Sequence, residues 1–173
     1  MEIAILNKGT LKIKSKNATL IVDPSSLSPK TDADAILFLS KQENDLSKIQ
    51  NYRLVVKGAG EYEAGGIKIS AANSENELVY TLDVDSVKVL IGSSNAVNSL
   101  REKLSECQIA VLNANEDFNE SIVSSLEPQV LIIYGEKSED ALKKIGKTEV
   151  AKTNKYSTTA EKLPQELEVI NLE

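Results

Sequence analysis

The sequence predicts a layered α/β fold, β-rich through its first half and alternating strand with helix through its second. Three observations carry this. Short runs near the N-terminus alternate apolar and polar residues with period two, as half-buried strands do. Continuous apolar runs such as "ADAILFLS" and "QVLIIYG" have the pattern of strands covered on both faces. After "VKVLIG", segments with apolar residues at helical spacing alternate with apolar strands, the rhythm of layered α/β proteins.

Taken in order, "EIAIL", "TLKIKS" and "ATLIVD" are strands separated by "NKG" and "KNA", the turn chemistry of antiparallel hairpins. Asp23-Pro24 ends the third, because Pro cannot continue a ladder and biases the preceding residue away from helix. "SSLSPKTD" is expected as loop and "ADAILFLS" as a buried strand. In the polar segment "KQENDLSKIQNY", Asp45 is expected to cap a short helix. "RLVVK", "GIKISA", "ELVYTLD" and "VKVLIG" return to strand character.

In the second half, "NAVNSLREKLSE" sets Val97, Leu100 and Leu104 at helical spacing before the strand "QIAVLN". "NESIVSSLEP" places Ile122, Val123 and Leu126 on one helical face, bounded by Pro128 and followed by "QVLIIYG". "SEDALKKIGK" has a Ser cap, acidic residues in its first turn and Gly146 beyond its end. "TEVAKT" and "LEVINL" close the chain as strands around a looped "NKYSTTAEKLPQE". At 173 residues, with no linker, the chain is expected to form one domain over residues 1–173.

Composition excludes several functions. The chain has no His, so a Ser-His-Asp or Cys-His site is impossible, and the commonest metal ligand is missing. One Cys cannot supply the sulfur that a zinc site without His would need. The single Cys107 also forms no internal disulfide and fits a reducing cytosol; its expected role is a small buried residue. A net charge of −6, no Trp and scattered Lys and Arg give neither a phosphate-binding stripe nor a stacking platform, so nucleic acid is not an expected partner. No apolar run approaches the roughly 20 residues of a membrane span. Glu2 stands where a signal peptide would be basic. A cytoplasmic protein with no membrane partner is therefore expected.

The stretch "KGAGEYEAGGIKI" holds Gly58, Gly60, Gly65 and Gly66, half of the eight glycines. A P-loop would need Lys and Ser or Thr after its last Gly, and Gly65 is followed by Gly66-Ile67. A dinucleotide fingerprint would need a third Gly opening a helix, where Glu63 stands before a strand. The acids of "SEDA", "ANED" and "TDAD" are what 26 Asp and Glu produce on a solvated surface. Carboxylate chemistry remains open: paired acids, or an oxygen-ligand site for a hard cation.

The order "ATLIVDP", then "ADAILFLS" into a polar loop, then "VVKGAGEYEAGGIKI", resembles the metallo-β-lactamase-fold hydrolases. It is most similar to the small bacterial branch of ascorbate-phosphate lactonase-like proteins. Gly58, Gly60, Glu61, Tyr62, Glu63, Gly65 and Gly66 match that branch's Gly-x-Gly-Glu-Tyr-Glu-x-Gly-Gly pattern, and "KLPQELEVINL" looks like its C-terminus. The resemblance implies a compact four-layer αββα sandwich, with the glycines making a bend that reverses the chain at Gly65-Gly66. It also implies a metal loop of His-x-His-x-Asp-His type falling on "KQENDL". There Lys41, Glu43 and Leu46 replace the histidines and only Asp45 is retained. "SAANSENE" is shortened where a further His would follow. Ser93 stands in place of the bridging acid, and Gly135 or a neighbour in place of the final His.

Lys41 has no lone pair to donate and opposes a metal by charge. The resemblance with these replacements implies a degenerate, metal-free family member with no cofactor, acting as a cytosolic protein that binds a protein or small molecule. The alternative is a divergent hydrolase using carboxylates, with Glu43 and Asp45, and Glu61 as a further candidate, as a remnant metal or acid/base site. A third reading is a homo- or hetero-oligomer subunit, with Leu100 and Leu104 or Ile122 and Val123 facing a partner.

Overall fold

The computed structural model describes residues 1–7, 9–40 and 45–173. β1 (Glu2–Asn7), β2 (Thr10–Lys14) and β3 (Thr19–Val22) form an antiparallel meander. β4 (Thr31–Asp32), β5 (Ala35–Leu37), β6 (Ile49–Gln50) and β7 (Leu54–Val56) follow. Then come β8 (Gly60–Ala64), β9 (Ile67–Ser74), β10 (Glu77–Val84) and β11 (Val87–Ser93). The alternating half contains α1 (Ser94–Leu100), β12 (Ile109–Asn113), α2 (Ser121–Leu126), β13 (Val130–Tyr134) and α3 (Ser138–Lys144). β14 (Lys152–Thr153), β15 (Lys155–Ser157) and β16 (Glu168–Leu172) complete it.

These strands build two principal sheets. The first has order β15-β1-β2-β3-β5-β7 and the second β14-β16-β13-β12-β11-β10-β9-β8, while β4 and β6 pair separately. Alternation explains how the sheets stack. Leu11, Ile13, Leu20 and Val22 from the first sheet share one buried cluster with Ile69, Leu82, Val111 and Ile132 from the second. Residues of opposite parity on the second sheet, including Leu90, Leu112 and Ile133, pack against Val97, Ile122 and Leu142 of the three helices. On the outer face of the first sheet, Ile21, Ile36 and Phe38 are covered by Ala33 and Ile49, with Leu46 against them. This outer layer comes from β4, β6 and their connections; among the described residues no helix packs there.

Two tight turns set the registers of the second sheet. Gly65 (φ +55°) and Gly66 (φ +84°) join β8 to β9, with Ala64 opposite Ile67. Asp85 (φ +50°) and Ser86 (φ +68°) join β10 to β11. Positive φ at both central residues is the I′ geometry whose twist matches the flanking strands.

The structure corrects several local expectations. Asp45 caps no helix: its Oδ1 accepts the Ser47 N–H at 2.8 Å, an Asx turn that leads into β6. "SSLSPKTD" is not all loop, since Thr31–Asp32 pairs with β6. "ADAILFLS" is a strand only over Ala35–Leu37, because beyond it side chains replace the ladder. The Tyr80 hydroxyl donates to Phe38 O at 2.7 Å, and Asp23 accepts the Leu39 N–H. "NAVNSLREKLSE" is helical only to Leu100, although Leu104 still packs in the helix-side cluster. Ser138 lies inside α3, whose N-cap is Lys137 with no side-chain cap bond. The looped "NKYSTTAEKLPQE" contains β15, which pairs with β1 at the far end of the sequence.

Candidate functional site

The two sheets open at one end of the sandwich, where strand carboxyl ends converge. This is where layered α/β folds place ligands, because strands stop there and loops begin. β3 leads into Asp23, whose φ of +48° suits Asp better than a branched residue and which is followed by the fixed ring of Pro24. The Asp23 N–H donates to Leu37 O at 3.0 Å and its Oδ1 accepts the Leu39 N–H at 2.9 Å. The carboxylate is thereby held at the mouth.

Ser93, Asn113 and Tyr134 form one row across the ends of β11, β12 and β13. Their parity matches the buried residues Ile91, Val111 and Ile132, so the row faces the interior between the sheets. Ser93 Oγ donates to Glu77 Oε2 at 2.6 Å and accepts the Ala96 N–H at 3.1 Å, capping α1. Glu77 opens β10, and the next residue ties the sheets together: the Leu78 N–H donates to Leu39 O at 2.7 Å. Glu77 and Asp23 consequently face each other across the opening.

Asp23, Ser40, Glu77, Ser93, Asn113 and Glu116 line a cleft of about 220 Å³ here. Three of these six are acids, and among the described residues no Lys or Arg lines the cleft. Burial raises the Asp23 carboxyl to about 6, with the Glu77 charge adding to it and the Leu39 hydrogen bond opposing it. The Asn115 side chain also lines the cleft, and its Oδ1 accepts the Glu136 N–H at 2.9 Å. Beside these residues Gly135 (φ +108°) has no room for a side chain, since a Cβ would stand 2.6 Å from Asn115 Oδ1 and 2.9 Å from Asn113 Oδ1.

Among the described residues, two buried polar atoms at this end have no hydrogen-bond partner: Asn113 Oδ1 and the Tyr134 hydroxyl. Burial drives the Tyr134 phenol far above its ordinary range, the Asp23 charge adds to this, and the nearby Asn113 amide works the other way. A buried hydroxyl without a partner costs stability. Tyr134→Phe should therefore stabilise the protein by about 1 kcal/mol, read as a higher urea midpoint at unchanged slope. An unchanged or lower midpoint would show that the hydroxyl is satisfied.

The sequence-derived candidates divide. Glu43, with Lys41, lies outside the described residues. Asp45 is exposed in its turn, does not line the cleft, and is held below the usual carboxylate range by the Ser47 backbone hydrogen bond. The Gly58 to Gly66 segment also lies away from the cleft, on the edge of the second sheet. There Tyr62 donates to Gly58 O at 3.1 Å, Glu61 Oε1 accepts the Ser70 hydroxyl at 2.7 Å, and Glu63 stands opposite Lys68. Ser93 lines the cleft and caps α1, and Gly135 lies against two of the lining residues, Asn113 and Asn115. Cys107 is buried and its thiol is pushed up to about 12 by desolvation.

Sequence reasoning missed Asp23, Glu77, Asn113 and Glu116. Their signal was positional: Asp23 and Asn113 are polar residues ending strongly apolar strands, and Glu116 belongs to an acid run that reads as surface. A metal centre of the kind the resemblance implies finds no ligand set among the described residues. Among the described residues no three His, Cys, Asp or Glu side chains converge to hold an ion, and imidazole is absent from the sequence.

The two sheets, the helical layer and the cleft at the strand ends define the metallo-β-lactamase fold. A proposed Zn-dependent hydrolase of the metallo-β-lactamase superfamily from Thermotoga maritima superposes with a TM-score of 0.80 at 18% identity, over 99% of this chain and 98% of that one. A proposed metal-dependent hydrolase from Parabacteroides distasonis has a TM-score of 0.57 at 17% identity, over 99% and 93%. The isothiocyanate hydrolase from Delia radicum gut bacteria has a TM-score of 0.59 at 11% identity, over 92% and 100%. At these identities the likeness is one of fold. No protein-family model and no curated protein matches the sequence. No helix among the described residues is long and apolar enough to cross a membrane.

Proposed function

We propose that this protein is a metal-free, non-catalytic member of the metallo-β-lactamase fold that uses the cleft at its strand ends to bind a ligand in the cytoplasm. The observation that carries this reading is the donor set of the cleft: carboxylates, amides and hydroxyls, with no imidazole and no thiolate. Ions that activate water in hydrolases of this kind are held by nitrogen together with oxygen ligands in fixed geometry. Where the resemblance expects a bridging acid and a final His, the sequence has Ser93, which caps α1, and Gly135 or a neighbour. The strands, turns and cleft walls nonetheless form a well-packed frame, which is what a binding site needs from its scaffold.

The test uses untagged protein, since a histidine tag would itself hold metal. Metal content, melting with zinc, manganese or magnesium against chelator, and turnover of a phosphodiester and a lactone are measured. The expected result is no stoichiometric metal, no upward shift and no turnover. Stoichiometric metal with hydrolysis would overturn the reading.

A second reading, a metal-free acid/base enzyme, is favoured by one observation. Burial raises the Asp23 carboxyl to about 6 beside a second carboxylate in a cleft, the environment of many general acids and bases. Under that reading some substrate is turned over without metal, and Asp23→Asn abolishes the turnover.

A further inference from the structure

We infer that β8, the outer edge of the second sheet, docks an extended segment of a partner protein that carries Lys or Arg at alternate positions and pairs with the sheet as a further strand. The edge lies away from the cleft, so this site is separate from the one proposed above.

The pairing of β8 fixes which of its backbone groups are free. It is the last strand of its sheet, with β9 on one side only. In a two-residue I′ hairpin the pair flanking the turn exchanges both hydrogen bonds, and bonded pairs then alternate with non-bonded ones. Ala64 with Ile67, Tyr62 with Ile69 and Gly60 with Ala71 are therefore the bonded pairs. Glu61 and Glu63 turn their N–H and C=O groups outward, and among the described residues no other backbone group bonds to them.

Proteins ordinarily blunt such an edge by shortness, Pro, a bulge or charge. The other edges of the two sheets are short, with three residues in β7, two in β14 and three in β15. β8 has five, none of them Pro, in unbroken register with residues 67–71. Its one safeguard is charge. Glu61 and Glu63 are both exposed and would meet like charges in a second copy paired on this edge. The same two acids admit a basic strand.

The exposed face of the sheet supplies the pattern. Glu63, Lys68, Asp83 and Lys88 stand side by side across β8, β9, β10 and β11, all exposed, so charge alternates from strand to strand out to the edge. A cation opposite Glu63 continues that order, and opposite charges facing each other across strands stabilise pairing. A second cation two residues along faces Glu61. Between them Tyr62 points to the other side and packs, half-buried, against the core between the sheets, so the residue opposite it is apolar. The docking segment thus reads basic, apolar, basic. Gly65 abuts Ala18, just before β3, whereas Asp23 follows the other end of β3; Glu63 accordingly lies toward the end of the sandwich remote from the cleft.

The experiment is a titration of untagged, isotope-labelled protein at low salt with the peptide acetyl-Thr-Lys-Val-Lys-Thr-amide, following amide hydrogen exchange residue by residue. One control peptide has Glu for both Lys. The other is N-methylated at its three central residues, which keeps the charge but removes the donors a ladder needs. One-site binding of the lysine peptide with slowed exchange at Glu61 and Glu63 is expected, and neither control should reproduce it. The double variant Glu61→Lys, Glu63→Lys, changed only at exposed positions, should bind the lysine peptide roughly tenfold more weakly and prefer the glutamate peptide. No slowing at Glu61 and Glu63, equal binding of the N-methylated peptide, or an unchanged preference in the variant would overturn the inference. Slowed exchange at these amides that grows with protein concentration and needs no peptide would assign the edge to a second copy and overturn it as well. Metal binding or turnover at the cleft has no bearing on these outcomes.

Discussion

Asp23→Asn should raise the melting temperature at pH 7 by roughly 5–10 °C, a gain that disappears in acid. The carboxyl titrates at about 6 in the folded protein against 3.8 when unperturbed, so the fold favours its protonated form. Above pH 6 the ionised side chain costs about 3 kcal/mol, the free energy of that rise at roughly 1.36 kcal/mol for each tenfold change in proton affinity. The sign follows: stability from this group is fully present below pH 3.8, declines as pH rises, and is lost above about 6. Asn carries no charge, still offers Oδ1 to the Leu39 N–H, and tolerates the left-handed backbone at this position as readily as Asp.

The two proteins should therefore melt alike near pH 4 and diverge up to pH 6. A pH-independent difference, or none at pH 7, would show that Asp23 is not strained by its charge. A residue kept at such a cost is what a binding site produces, since the stability given up is recovered when ligand binds.

Gly65→Ala should destabilise the protein by about 2–4 kcal/mol, and Gly66→Ala by about 1 kcal/mol. Both glycines have positive φ, which costs any L side chain roughly 1 kcal/mol or more. Only Gly65 adds a collision: a Cβ there would stand 2.5 Å from the Ala18 Cβ, whereas nothing lies within 4 Å of one at Gly66. Ala18 sits in the tight connection between β2 and β3, where Ser15 Oγ accepts its N–H at 2.9 Å, so it cannot move aside cheaply. Urea unfolding of the two variants separates the turn cost from the contact cost. Equal losses would mean that the contact between the sheets relaxes freely.

These expectations draw on different parts of what the sequence reveals. The alternation in "TLKIK" and the apolar run in "IAVLN" were legible because burial on one face or two leaves a pattern in a single strand. β8 was legible only as a bend. Its Glu61 and Glu63 point away from the core on a sheet edge, where charge discourages further pairing and weakens any strand signal. β15 was invisible for another reason: Lys155–Ser157 is a strand because Glu2–Ala4 lies beside it, and no local propensity encodes a neighbour so distant in sequence. The shortened β5 belongs with it, since the Tyr80 hydroxyl takes Phe38 O and thereby ends the ladder.

The sequence by itself determined what chemistry is excluded. A chain with no His and one buried Cys cannot assemble an imidazole or thiolate metal centre, whatever its fold, because composition bounds the ligands available. It also determined the turn at Gly65-Gly66, because positive φ at two successive residues is a local demand. Only the tertiary structure decided that Asp23, Glu77 and Asn113 share a cleft. Asp23 directly follows β3 of one sheet, Glu77 and Asn113 lie on β10 and β12 of the other, and they meet because the stacked sheets bring those strand ends together. The elevated Asp23 carboxyl and the unpaired Asn113 oxygen have the same origin, since desolvation and the loss of hydrogen-bond partners exist only once the two sheets have closed over them.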